Sequence, residues 1–364
     1  MPLSLFPNLF WRQTVLLKKN IHQSTRFIRS KIAIFDQILV VKAQVIELNV
    51  SESHNVLDKL AEVLDTTCEN GYLKVPENKG NGYLRAFSLG NSIGMMIRDC
   101  EFNSDLLIRR NFSLNSHERV LLSFNNILPP KNNKADRADF QNLPSVQIGK
   151  GKLNLEMFYP SHTNFSSILV AIYTSDLKTL LGPQIENSIL STILADDQPV
   201  IFEEVITPDI QKIALEVTDN NIPEMLYHLY YRLKAEELIC LVFAELLKRE
   251  NTPIQAVNEI DAEKVYLVRA KILQELSTSP VLANLAEEAG MSKSKLKRLF
   301  KQIFGESIFN YYQSFRMKEA ARLLKERRLT VSEVGYQLGF SNLGHFTRVF
   351  EAHMGMKPKK FSLQ

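Results

Sequence analysis

Five residues stand out for the chemistry their types and spacing allow: Lys293, Ser294, Lys297, Arg298 and Lys301. If the segment is helical, Leu296, Leu299 and Phe300 form its inward stripe, and the five face outward together. A planar guanidinium, three ammonium groups and a hydroxyl suit hydrogen bonding to an anionic, acceptor-rich surface. Elsewhere the chain offers no persuasive reaction centre. It has no G-x-S-x-G, no P-loop, no H-E-x-x-H, and no H-x-H with a downstream Glu. His54, His117 and His162 are dispersed, while His345 and His353 are isolated, so neither a metal nor a cofactor is expected. Gly80-Asn81-Gly82 reads as a β-turn, not a phosphate loop. The three cysteines, Cys68, Cys100 and Cys240, are odd in number and far apart, which argues against a disulfide framework or a thiolate zinc site. They read as structural thiols in a reducing, cytoplasmic compartment.

The elements that would position the basic face form an internal repeat. One copy reads Leu285-Ala286-Glu287-Glu288-Ala289-Gly290-Met291-Ser292, followed by Leu296, Arg298, Leu299, Phe300 and Gly305. The other reads Val334-Gly335-Tyr336-Gln337-Leu338-Gly339-Phe340-Ser341, followed by Phe346, Arg348, Val349, Phe350 and Gly355. The copies keep register except for one extra residue: glycine to arginine spans 8 positions in the first and 9 in the second. Each predicts helix, turn and helix. Ala286 or Gly335 lets the two helices approach, Gly290 or Gly339 takes a positive φ, and Ser292 or Ser341 caps the second helix. This is a helix-turn-helix, whose second helix enters the major groove of DNA. A single such unit is a common packing device; two of them in a basic segment are far more specific. Ser307–Lys325 lies between them, with Ile308, Tyr311, Tyr312, Phe315, Ala320, Leu323 and Leu324 as a broad apolar face. As a helix it would be ~28 Å long. That suffices to hold two recognition helices about one DNA turn, ~34 Å, apart.

Charge supports this division. The 364 residues carry a net charge of only +4. Residues 261–364, however, hold 18 Lys+Arg against 10 Asp+Glu, residues 1–46 hold 7 against 1, and residues 47–260 hold 19 against 29. An acidic body thus lies between two basic ends, and at least one end should meet an anionic partner. At 45% hydrophobic and 23% charged residues, wholesale disorder, collagen and a coiled-coil rod are excluded. No run approaches the ~18 apolar residues of a membrane span. Residues 1–46 superficially resemble a transit peptide but lack a clear cleavage pattern, and read as a poorly ordered basic extension.

Residues 47–250 read as a separate domain of strands followed by helices. Short β-branched and aromatic segments separated by Gly, Asn and Pro clusters predict a compact all-β sandwich or barrel over about 71–175. Helices are expected over about 183–249, ending in a long apolar one near Ile222–Arg249. On it, Met225, Leu226, Leu229, Leu233, Ile239, Val242 and Leu246 read either as burial against the barrel or as a homodimer interface. Residues 251–260 read as a linker, Asp261 as a helix cap, and residues 261–364 as all helical.

Gly339-Phe340-Ser341 … Phe346-Thr347-Arg348-Val349-Phe350 … Gly355 … Lys357-Pro358-Lys359-Lys360-Phe361 resembles the C-terminal signature of the AraC/XylS family of transcriptional regulators. The first repeat is similar to that family's first helix-turn-helix, and Arg316-Met317 … Ala320 … Leu323-Leu324 to its connecting helix. The resemblance covers Asp261–Phe361. It implies an α+β protein: residues 47–250 as an effector-sensing or dimerisation domain, a cupin-like β-barrel with helices, joined to an all-α domain of two helix-turn-helix units. It also implies Ser294, Lys297 and Arg298 as base-facing positions, with Arg298 able to grip guanine O6 and N7. The matching positions in the second unit are Leu343, Gly344, Thr347 and Arg348. Leu343 and Gly344 depart from the polar readers common in the family; they suit a thymine methyl or a close backbone approach to phosphate. Arg348 either contacts DNA or pairs internally. Lys357, Lys359 and Lys360 are phosphate contacts or a solvated basic end. The function implied is an effector-responsive activator with double-stranded DNA, RNA polymerase and an unidentified small molecule as partners. The rival is an alkyl-transfer repair protein or other enzyme tethered to DNA. It would need clustered zinc and acceptor cysteines, which Cys68 and Cys100 alone do not supply.

Overall fold

The computed structural model describes residues 44–50, 56–112, 119–127, 144–150, 157–182, 187–195, 199–218, 222–249, 254–326 and 329–363. The expected basic extension up to residue 43, His54, His117 and residues 251–253 of the expected linker lie outside them.

The N-terminal part is built on two sheets. The smaller orders β1 (Gln44–Val50), β5 (Leu106–Phe112) and β8 (Met157–Tyr159), with β1 and β5 parallel. The larger uses β2 (Tyr72–Lys74), β3 (Gly80–Leu89), β4 (Ile93–Phe102), β6 (Arg119–Asn125), β7 (Ser145–Lys150), β9 (Asn164–Tyr173) and β10 (Val200–Val205). Its order is β10-β7-β6-β9-β4-β3-β2, with every neighbouring pair antiparallel. Alternation then sends Met95 and Ile97, Leu122 and Phe124, Val170 and Ile172, and Phe202 to one face. Helices α2 (Thr174–Leu181), α3 (Ser188–Leu194), α4 (Pro208–Thr218) and α5 (Tyr227–Leu246) cover that face, burying Leu177, Ile193, Ile213, Leu238 and Val242 in one core. On the opposite face, Leu84 and Cys100 pack with Leu57 and Leu60 of α1 (Val56–Val63).

Two expectations are corrected here. The barrel over 71–175 is not closed: the described strands divide into two open sheets whose strands do not pair with one another, and Leu106 and Tyr159 of the smaller sheet pack into the core on the α1 face of the larger. The region after Gly182 is not all helical either. Val200-Ile201-Phe202-Glu203-Glu204-Val205 adds an edge strand, a run too short for its period to show in sequence.

The C-terminal part is all helical: α6 (Glu259–Gln274), α7 (Leu282–Glu288), α8 (Lys293–Phe304), α9 (Ile308–Lys325), α10 (Val331–Gln337), α11 (Leu343–Met354) and α12 (Pro358–Phe361). Asn258, not Asp261, caps α6; its side-chain Oδ1 accepts from the Asp261 N–H at 2.8 Å. Tyr312, Phe315, Met317, Ala320 and Leu324 of α9 join Leu296 and Phe300 of α8 and Phe346 and Phe350 of α11 in a single core. The connecting helix is therefore the shared floor of both repeats. Among the described residues, no helix is long and apolar enough to cross a membrane.

Candidate nucleic-acid interface

Each repeat folds as a helix, a glycine turn and a second helix. In the first, Gly290 adopts φ +60°, and the Met291 N–H closes the turn on the Ala286 carbonyl at 3.0 Å. Ser292 then accepts from the Lys295 N–H at 3.2 Å and starts α8. In the second, Gly339 adopts φ +77°, and the Phe340 N–H meets the Gly335 carbonyl at 3.0 Å. A Cβ at Gly339 would also overlap the Ser277 carbonyl, so this glycine is required twice over. Gly335 is small because Leu343 crosses it; an added Cβ would sit 2.8 Å from Leu343 Cδ2.

The extra residue of the second copy changes its cap. Asn342, rather than the expected Ser341, accepts from the His345 N–H at 3.0 Å. From the cap onward the two recognition helices match position by position. Each has 12 residues, and each ends on a left-handed glycine, Gly305 or Gly355. Lys293 thus corresponds to Leu343, Ser294 to Gly344, Lys297 to Thr347, Arg298 to Arg348 and Lys301 to Glu351.

In α8, Lys293, Ser294, Lys297, Arg298 and Lys301 are all exposed, opposite buried Leu296, Leu299 and Phe300. The fold thus presents four cations and a hydroxyl on one short helix face. Lys295 is different: it turns to the Asp261 carboxylate, 2.8 Å away, and ties α8 to α6. The equivalent face of α11 is sparse. Gly344 and Arg348 are exposed, but Leu343 is half-buried against Gly335, and the Thr347 hydroxyl donates to the Leu343 carbonyl at 2.9 Å. Arg348 is exposed, and Glu351 stands exposed where α8 has Lys301. Lys357, Lys359 and Lys360 lie exposed around α12.

Two arginines that hold these helices are not marked by the repeat. Arg316 of α9 is buried, with Nε and Nη2 donating to the Leu338 carbonyl at 2.8 and 2.5 Å and Nη1 to Gln313 Oε1 at 3.1 Å. Its guanidinium lies 3.6 Å from the Phe340 ring centroid, and burial lowers its pKa from the usual arginine value. It anchors the turn before α11. A signal for it exists in the sequence: Arg316 falls at helical spacing between Tyr312 and Ala320, a charge on an apolar stripe. Arg249, beyond the end of α5, donates to the Gln302 and Ile303 carbonyls in the last turn of α8, at 2.8 and 3.2 Å. That contact joins distant segments and leaves no periodic trace.

Other polar groups line the same junction between the β-sheet part and the helical part. Arg269 of α6 pairs with Glu203 of β10 at 3.4 Å and donates to the Tyr311 hydroxyl at 2.7 Å. Burial pushes the Tyr311 phenol up to about 12 and the Tyr266 phenol well above its usual value, so both stay protonated. Among the described residues, no three His, Cys, Asp or Glu side chains converge to hold a metal.

A family profile described as a helix-turn-helix domain matches residues 285–364. Three curated relatives are similar over this region. The probable transcription factor PqrA of Proteus vulgaris is 35% identical over 21% of this chain and 63% of its own length. The regulatory protein PchR of Pseudomonas aeruginosa is 34% identical over 28% of this chain and 35% of its own. The HTH-type transcriptional activator RhaR of Yersinia pseudotuberculosis is 26% identical over 36% of this chain and 46% of its own. The chain therefore spans under two thirds of each relative, and the family profile falls on the helices that carry the basic face.

Proposed function

We propose that residues 285–364, which the helix-turn-helix profile matches, are a DNA-binding domain of the AraC type and that the chain is a sequence-specific transcription activator. One observation carries the proposal: two register-matched recognition helices, α8 and α11, share the floor of α9, and both present an exposed arginine at the same position. In this reading α8 does most of the hydrogen-bonded base reading. Arg298 grips guanine, Ser294 and Lys297 contact neighbouring base edges or phosphates, and Lys293 and Lys301 neutralise the backbone. Arg348 supplies the second unit's direct contact. Gly344 brings the backbone close, Thr347 and Leu343 offer apolar contact to a thymine methyl, and Lys357, Lys359 and Lys360 meet phosphate.

The acidic N-terminal part stays off DNA by repulsion and takes a small-molecule effector. RNA polymerase is the partner an activator requires, and the cytoplasm is the compartment. A second copy pairs through the start of α5 and the turn that precedes it. There Met225, Leu226, Leu229 and Leu233 are exposed, while Ile239, Val242 and Leu246 are buried in the core. Light scattering on the full chain should then give a dimer mass at micromolar concentration; a monomer removes that part of the proposal.

Selection of duplexes from a random-sequence library by the full chain tests the main reading. The expected product is a motif with two informative segments about one turn, ~10 base pairs, apart. Absence of any enriched sequence contradicts it.

A further inference from the structure

Arg249 is spent almost entirely on holding other groups in place. Besides the two α8 carbonyls, its Nη2 donates to the Glu203 carbonyl at 2.6 Å and its Nε to the Glu204 carboxylate. The carbonyls of Gln302 and Ile303 belong to the last turn of α8, where no further intrahelical N–H is in reach. A guanidinium there satisfies them and complements the negative end of the helix. Around it, Gln302 and Gln255 exchange hydrogen bonds, amide to carbonyl and N–H to amide oxygen, at 2.7 and 3.2 Å. Ile201 of β10 is buried in the core of the helical part, not in the core of its own sheet. β10 is also an edge strand, paired on one side only, to β7.

The polar contacts of Arg249 and Glu203 that cross this junction end on α6 or α8, and Arg269 carries them on to the start of α9. The second unit is held differently, by Arg316 from within its own domain. We infer that Arg249 and Glu203 are positioning residues for the first recognition helix, so that the state of the β-sheet part reaches the first helix-turn-helix and bypasses the second. The lever is favourable. α8 is clamped at its C-terminal end while Lys293 to Arg298 read from the other; over an ~18 Å helix, a tilt of about 10° moves the reading end by about 3 Å. A displacement of that size breaks a bidentate base contact. The clamp leaves Lys293, Ser294, Lys297 and Arg298 exposed, so the docked arrangement is the one able to read DNA.

This inference rests on the DNA-binding reading, and the two fail differently. The probe is a duplex selected by the wild-type chain, with derivatives in which one or the other informative segment is scrambled. Arg249→Ala and Glu203→Gln in the full chain should lose about tenfold in affinity through the first-unit segment and keep the second-unit contribution. Arg249→Lys, which keeps the cation but not the fork, should show a smaller loss confined to the same segment. Parallel loss at both segments in the alanine and lysine variants alike overturns the inference, as does loss at neither. A wild-type chain that selects no duplex overturns the DNA-binding reading and this inference with it.

Discussion

The two helix-turn-helix units are alike in backbone and unlike in the side chains they present. Both run from a side-chain cap through a 12-residue recognition helix to a left-handed glycine, over a common apolar floor. Yet α8 shows four exposed cations where α11 shows Arg348 and an opposing Glu351. They also differ in support: α8 is gripped by Arg249 from the β-sheet part, α11 by Arg316 from the connecting helix. Geometry is thus repeated because turn sterics and core packing demand it, while contact chemistry and support diverge because nothing in the fold constrains them equally.

The comparison breaks most sharply at the turns. Gly339→Ala should destabilise the helical domain by about 2–5 kcal/mol, combining left-handed strain with overlap on the Ser277 carbonyl. Gly290→Ala, where an added Cβ meets only the flexible Lys264 Nζ at 3.8 Å, should cost only the strain, about 1–2 kcal/mol. Thermal unfolding of the two variants decides; equal shifts would mean that the second turn is not packed against Ser277.

Contact chemistry comes next. Arg298→Ala should weaken binding to a selected duplex by about 1–3 kcal/mol and relax base preference at one position. Arg348→Ala tests whether the sparse second face reads or only positions; a loss equal to that of Arg298→Ala would erase the asymmetry. Removing Lys293 or Lys360 should instead lower affinity evenly across sequences and reduce the salt slope by about 1 each. Titrations at several salt concentrations separate the two kinds of loss.

The smallest effect concerns the helices that precede the turns. α10 starts with a capping box: Glu333 accepts from the Thr330 N–H at 2.7 Å, which lowers the Glu333 carboxyl below its usual value. α7 starts at Val281 with no side-chain cap. The cap's contribution is therefore present above the ordinary carboxylate range and is lost as pH falls through the lowered Glu333 value. Glu333→Gln should reduce that dependence, and amide exchange at the start of α10, measured as pH falls through the carboxylate range, would show it; identical profiles for both proteins would assign the protection to another group.

Much of the helical domain is legible in sequence because its signals are local. Glycines at fixed offsets, a cap, and an apolar stripe at helical spacing mark both units and the floor between them. The cap at Asn342 escapes such reading because the extra residue shifts the turn by one position, which repeat alignment alone does not place. The start of α6 escapes in the same way, with Asn258 competing against Asp261. The β-sheet part is legible only as texture. Strand order, the open edge at β10 and the helices that cover one face depend on pairings between residues far apart in the chain. Arg249 belongs to that second class: it lies 53 positions from Gln302, and nothing nearby marks it.

The proposed domain reads DNA with two unequal units. The most direct measurement is the affinity of the full chain for a selected duplex and for every single-base variant of it, at two salt concentrations. The account predicts two segments about one turn apart, with one showing stronger base discrimination, ~1–3 kcal/mol at its best positions, and losing it in Arg298→Ala. Two segments of equal discrimination, or one segment untouched by Arg298→Ala, would contradict it.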